Sequence, residues 1–298
     1  MNDTLLLQTF DRCRSGESIK AIARAVSVPW QRLSADLKRW CAVHGREYPI
    51  GSKPAATAAT PKPPAPKPIV PAGPLTDRYR PQTVVAVRGQ DKAVAALSAF
   101  LAEPYPTAFL FHGPTGTGKT SAAVALAADL GCDLSEPGLG GLIQIASGEQ
   151  TADTVRETAR QLWTRPLYGS GWKVLVVNEC DRMHPATETV WLDRLENLPP
   201  RTVIVFTTNH TDKLANRFRD RCERIEFAGD GTVARRAAVK TLLDDVWLAE
   251  TGGPFPNRTR LDELVSASVD EDGNISFRRA VQALQVEVNA ARTPSSAN

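Results

Sequence analysis

The residues with the clearest chemical purpose are Gly113-Pro114-Thr115-Gly116-Thr117-Gly118-Lys119-Thr120. They fit the pattern G-x-x-x-x-G-K-[ST] at every fixed position. Glycines at this spacing let backbone N–H groups turn inward onto an anion, and a helix starting at the end of the loop adds the positive end of its dipole. Lys119 is spaced to reach the β- and γ-phosphates of a nucleoside triphosphate, and the Thr120 hydroxyl to ligate Mg²⁺. The flanks agree. Ala108-Phe109-Leu110-Phe111 reads as a short buried strand, and residues 121–130, rich in Ala and Leu, read as a helix. Taken alone, the loop implies a bound nucleoside triphosphate and nothing further.

A second group of residues is placed to act on that ligand. Val174-Leu175-Val176-Val177 reads as a buried strand that aims Asn178 and Glu179 at the metal. The usual ending of such a strand is Asp-Glu, in which the aspartate holds Mg²⁺ through water and the glutamate polarises the attacking water. Here Asn178 takes the place of the aspartate and Glu179 is retained. An asparagine accepts a hydrogen bond from a metal-bound water but brings no charge to a dication. The expectation is weaker Mg²⁺ retention and slower hydrolysis, with ATP binding kept.

The elements that must position these groups follow in order. Residues 142–145 read as a strand, ended by Ala146-Ser147, and residues 154–163 as a helix. Residues 189–198 form a helix stopped by Pro199-Pro200. Val203-Ile204-Val205-Phe206-Thr207-Thr208-Asn209 is a further buried strand with a polar tip. After Lys213-Leu214 and Phe218-Arg219-Asp220-Arg221-Cys222, residues 232–250, 260–268 and 276–291 read as helices.

This order of motifs resembles the AAA+ ATPases of the clamp-loader clade, over roughly residues 76–290. Tyr79-Arg80-Pro81 and Gly89-Gln90 ahead of the glycine loop are similar to segments that pack around adenine in replication factor C small subunits. The resemblance implies Tyr79, Arg80, Pro81, Val85 and Gln90 near the base. Arg88 departs from the apolar residue expected before Gly-Gln. The run Leu-Glu, Pro-Pro, Thr-Thr, Lys-Leu, Arg-Cys resembles the ATPase subunit of bacterial clamp loaders. By that likeness Asn209 is the sensor facing the γ-phosphate or attacking water. Arg221 is the finger inserted into a neighbour's site, preceded by Asp220 where the family has serine. Asn274-Ile275-Ser276-Phe277-Arg278-Arg279-Ala280 resembles the family's lid motif, with Arg278 reaching the phosphates. The helix carrying Arg156 resembles one whose N-terminus faces DNA, which makes Arg156 either a phosphate contact or an exposed, intramolecularly paired arginine.

Composition sets the frame. The chain has 298 residues, 42% hydrophobic and 23% charged, enough for two domains or a little more. No apolar run reaches the roughly 18 residues of a membrane helix. The N-terminus lacks a basic segment, so no signal peptide is expected. Cys13, Cys41, Cys132, Cys180 and Cys222 form no C-x-x-C, which suits a reducing cytoplasm.

Charge is uneven. Residues 1–50 hold eight Lys/Arg against five acids, and residues 51–74 add three lysines and no acid. That front stretch therefore carries +6, and with +3 overall the remainder carries −3. Ile19, Ile22, Ala23 and Val26, a break at Ser27 to Pro29, and then Leu33, Leu37 and Trp40 resemble a helix-turn-helix, with Ser27 where a glycine is usual. It would present Arg32, Lys38 and Arg39, with Gln31 and Ala35, to a major groove. The alternative is a three-helix module that binds protein or nothing. Residues 51–74 include eight prolines and six alanines and read as a disordered, extended linker.

The expected organisation is thus a helical, helix-turn-helix-like domain at 1–50, the linker at 51–74, an α/β AAA+ core with a parallel sheet at 75–228, and a small helical lid at 229–298. Clamp-loader subunits continue past the lid into a helical collar. This sequence ends about twenty residues after Arg278 and is expected to lack one. The resemblance implies an ATPase that assembles as a homo- or hetero-oligomer of AAA+ subunits on DNA, with a clamp-loader-like role in replication. Its candidate partners are a sliding clamp, a helicase or a transposase. The alternatives are a transposition regulator or helicase loader, and an ATP-dependent scaffold with little hydrolysis.

Overall fold

The computed structural model describes residues 3–15, 17–46, 73–136 and 138–292. The chain divides into two compact units between Ile69 and Val70. The expected linker lies outside the described residues up to residue 72.

The first unit is three helices, α1 (Asp3–Arg14), α2 (Ile19–Ala25) and α3 (Trp30–Val43). Their apolar residues recur at helical spacing, and Leu6, Phe10, Ile22, Ala23, Leu33, Leu37 and Trp40 close into one cluster. Ser18 caps α2 by accepting from the Ala21 N–H. The α2–α3 turn holds Ser27 at a left-handed φ of 56°. A serine there costs about 1 kcal/mol relative to the glycine usual at that place.

The second unit runs α4 (Leu75–Arg78), α5 (Asp91–Ala102), β1 (Thr107–His112), α6 (Lys119–Asp129), β2 (Leu142–Ile145), α7 (Ala152–Gln161), β3 (Lys173–Val177), α8 (Pro185–Glu196), β4 (Thr202–Thr208), α9 (Asn216–Arg219), β5 (Glu223–Glu226), α10 (Val233–Thr251), α11 (Arg258–Ala267) and α12 (Phe277–Arg292). The strands form one parallel sheet in the order β2-β3-β4-β1-β5. All of β3 and β4 is buried, because helices cover both faces and every side chain needs an apolar neighbour.

Alternation along the strands sorts the two faces. Phe109, Phe111, Val174, Val176, Val203 and Val205 pack on Leu97 of α5 and on Ala122, Ala123 and Leu126 of α6. Leu110, Leu175, Val177, Ile204 and Phe206 face Val155 of α7, Trp191 of α8 and Phe218 of α9. The sequence places the start of α8 near residue 189, but the helix begins at Pro185. A proline in the first turn has no N–H to lose, and His184 Nδ1 caps the Ala186 N–H at 3.2 Å.

α10, α11 and α12 form the lid around Leu243, Val246, Leu261 and Leu284. Leu75 joins this lid cluster, whereas Val84 and Val87 join the core cluster. The strap from Leu75 to Val87 therefore runs from lid to core.

Candidate nucleotide-binding site

The C-terminal ends of β1, β3 and β4 meet at one edge of the sheet, and the glycine loop leaves β1 there. Gly118 stands at the N-cap of α6 with φ 102°, and a Cβ built on it would meet nothing within 4 Å. Only glycine reaches that backbone region without strain, and the open space lies at the helix's positive end, where an anion is favoured. Gly116 is closed in differently. A Cβ there would lie 2.0 Å from Ser276 Oγ, so the loop approaches the lid at contact distance.

Lys119 is buried, and its Nζ donates to the Gly113 carbonyl at 2.6 Å, the Pro114 carbonyl at 2.7 Å and Asn209 Oδ1 at 2.8 Å. Burial, with the nearby Arg278 charge adding to it, pulls its pKa down to about 8, against the opposing pull of Asp181 and Glu179. Thr120 Oγ1 donates to Asn178 Oδ1 at 3.0 Å. Glu179 follows with a left-handed φ of 52°; its carboxylate accepts from Ser147 Oγ at 2.7 Å and pairs with Arg182 at 3.2 Å. Gln150, also buried, donates from Nε2 to the Asn178 and Glu179 carbonyls and so holds this turn. Thr208 Oγ1 donates to Asp181 at 2.7 Å.

Two cavities adjoin the loop. One of about 240 Å³ is lined by Thr115, Lys119, Thr120, Asn178, Glu179 and Asn209, among others. The other, about 300 Å³, lies between strap, lid and loop, against Tyr79, Arg80, Pro81, Val87, Phe277 and Val281. Arg278, Gly116 and Gly118 line both. The first has the size and polarity for phosphates, the second the mixed wall a base requires.

The oxygen donors Thr120, Asn178 and Glu179 suit a hard cation such as Mg²⁺. Among the described residues no three Asp, Glu, His or Cys side chains gather as a metal cage.

Most of the residues read from the sequence thus come together, but not all. Gln90 lies behind the loop, buried, donating to the Ala228 carbonyl at 2.9 Å and the Thr117 carbonyl at 3.3 Å. It supports the loop and lines neither cavity. Val85 is 74% exposed and Val87 takes the inward place, because Val84–Ala86 is a 3₁₀ turn, where two-residue alternation does not hold. Arg88 lines the larger cavity and pairs with Asp245 at 2.7 Å.

Arg221 lines neither cavity. It pairs with Glu196 at 2.7 Å at the surface and donates to the Arg217 carbonyl at 2.9 Å. Arg156 is half-exposed and pairs with Asp153 at 2.8 Å. In the first unit Arg32, Lys38 and Arg39 are exposed on α3, and Arg39 borders a shallow groove with Asp36, Trp40 and Val43.

Sequence reasoning missed Gln150 and Asp181. Asp181 had a signal, a carboxylate two residues past Glu179. Gln150 had only its place before a helix.

Residues 109–230 match the family described as ATPase family associated with various cellular activities (AAA). The replication factor C small subunit of Archaeoglobus fulgidus is 28% identical over 211 residues, covering 70% of this chain and 62% of that protein. Replication factor C subunit 3 of Saccharomyces cerevisiae is 31% identical over 157 residues, 52% of this chain and 45% of its own. The chain thus spans about half to six-tenths of these relatives. Among solved structures, a variant of RuvB from Thermotoga maritima superposes with a TM-score of 0.53 at 16% identity, over 71% of this chain and 72% of that one, a likeness of fold alone.

Proposed function

We propose that the chain is an AAA+ ATPase of clamp-loader type that binds ATP with Mg²⁺ and hydrolyses it as one subunit of an oligomer that assembles on DNA, in a clamp-loader-like role in replication; the match of residues 109–230 to the AAA family and the likeness to replication factor C subunits support this. The observation that carries this reading is the meeting of Lys119, Thr120, Asn178, Glu179, Asn209 and Arg278 around one phosphate-sized cavity, with Arg278 also lining a base-sized one. In this scheme the loop N–H groups, Lys119 and Arg278 hold the triphosphate. Thr120 and Asn178 face Mg²⁺, Glu179 polarises the attacking water and Asn209 orients it. Arg221 serves a neighbouring subunit's ATP.

The test is ATP binding and turnover of the intact chain, with and without DNA, beside Lys119→Ala. Loss of binding in the variant and stimulation by DNA are expected. Retained micromolar ATP affinity in Lys119→Ala would overturn the site. A pull-down with a sliding clamp, a helicase or a transposase as bait then assigns the partner. Among the described residues no helix is long and apolar enough to cross a membrane. The likeness to replication factor C subunits supports a cytoplasmic location for this activity.

A second reading rests on one contact. Asn178 brings no charge to the metal and accepts from Thr120. An ATP-dependent scaffold with little hydrolysis follows from that, and a turnover rate that DNA does not raise would favour it.

A further inference from the structure

The strap that enters the second unit has little support of its own. α4 is one turn of four residues with no side-chain cap at its start. Its place is set by the lid. Leu75 is buried in the lid cluster, and its N–H donates to Gln285 of α12 at 2.8 Å. The main fastening is Glu250, near the end of α10, whose side chain is 1% exposed.

A carboxylate so buried is costly unless its oxygens are fully paired. Here Arg78 grips both oxygens, the Tyr79 hydroxyl donates to Oε1 at 2.5 Å, and Arg292 of α12 closes the other side. Burial alone would raise the Glu250 pKa, but the hydrogen bonds from Tyr79 and Arg78 outweigh it and hold it below the ordinary value. Of these partners only Tyr79 lines the 300 Å³ cavity, next to Arg80 and Pro81. Two of the three come from the strap and one from the last helix of the lid, so a single carboxylate joins chain segments about 170 residues apart.

We propose that Glu250 is the positioning residue of the base half of the nucleotide site. It fixes Tyr79 against the lid, so that strap and lid form one continuous wall for the base. It touches no substrate and acts through Tyr79. This rests on reading the larger cavity as the base site.

The test separates base from phosphate. ATP and inorganic tripolyphosphate are titrated calorimetrically into the full chain with Mg²⁺. Glu250→Gln is expected to weaken ATP about tenfold, and Tyr79→Phe, which keeps the ring and loses one hydrogen bond, about threefold to fivefold. Both should leave tripolyphosphate within about twofold, and the double variant should be no worse than Glu250→Gln, because the two changes break one interaction. Equal losses for both ligands, or no loss for ATP, would overturn the assignment. If Glu250→Gln does not fold, as a thermal melt will report, Tyr79→Phe decides the matter alone. If the unaltered chain binds ATP no better than tripolyphosphate, the base-site reading itself falls and takes this inference with it. That outcome is distinct from one in which the base contributes and Glu250 does not.

Discussion

Lys119 supplies a prediction whose size follows from its surroundings. Its ammonium is buried, hydrogen-bonded to two neutral carbonyls and an amide oxygen, and close to Arg278; its pKa falls from 10.5 to about 8. A triphosphate set between Lys119 and Arg278 favours the charged form and returns the pKa upward. The sign is then fixed: the free protein loses a proton that the complex keeps, so ATP affinity falls as pH rises through about 8. With the group about nine-tenths protonated near pH 7 and one-tenth near pH 9, the affinity should drop about tenfold, or about 1.4 kcal/mol, across that interval. At pH 8 binding should take up about half a proton per nucleotide. Calorimetry in two buffers of different ionisation enthalpy reads that uptake directly, above the range in which the nucleotide phosphates themselves titrate. Lys119→Arg, whose guanidinium does not titrate here, provides the control and should show no such slope. An affinity flat from pH 7 to 9, or an equal slope in Lys119→Arg, would refute the reasoning, since the titrating charge would then lie elsewhere.

Other outcomes follow from the same geometry. Asn178→Asp should raise hydrolysis about tenfold at limiting Mg²⁺ by restoring a charge beside the metal, measured as steady-state phosphate release; turnover that stays flat or falls would remove the main support for a slow scaffold. Deleting residues 1–74 should weaken DNA binding and flatten its dependence on salt, because that stretch carries +6 and phosphate contacts release counterions, while ATPase activity without DNA should survive; an unchanged salt slope would make the front unit a protein-docking module. Arg221→Ala should bind ATP normally and hydrolyse it roughly 10³-fold more slowly, in line with arginine fingers elsewhere. Mixed with Lys119→Ala, it should regain part of the activity, because some interfaces then join an intact pocket to an intact finger; no recovery despite co-assembly would leave Arg221 as the partner of Glu196 and nothing more.

How much of this was legible in the sequence depended on how local the constraint was. The glycine loop stood out because its geometry fixes residue types at consecutive positions. β3 and β4 stood out because strands covered on both faces become unbroken apolar runs. Errors arose where a residue type has two uses. Pro185 starts a helix as readily as it breaks one, so the onset of α8 was displaced. The resemblance put Val85 beside the base, but the 3₁₀ turn at Val84–Ala86 leaves Val85 exposed and gives Val87 the place on the cavity wall. Glu250 left no local trace at all, since its partners are Arg78, Tyr79 and Arg292, and a lone carboxylate in an amphipathic helix reads as solvated.

The division of the site explains how a ligand would act on the fold. The phosphate cavity belongs to the core, the base wall to strap and lid, and Arg278 lines both cavities from α12. Arg278 also lowers the pKa of Lys119, so in the free protein the lid and the core approach each other with two like charges. On the proposed reading a triphosphate entering between them replaces one repulsion with two attractions, at the open end of α6 where Gly118 leaves room for it. The base at the same time fills the wall that Tyr79 forms with Phe277 and Val281. On that proposed reading both ends of ATP would draw the lid toward the core, and loss of the γ-phosphate would weaken only the electrostatic half of that hold. A nucleotide-dependent lid position thus needs no device beyond the charges and the buried carboxylate already in place.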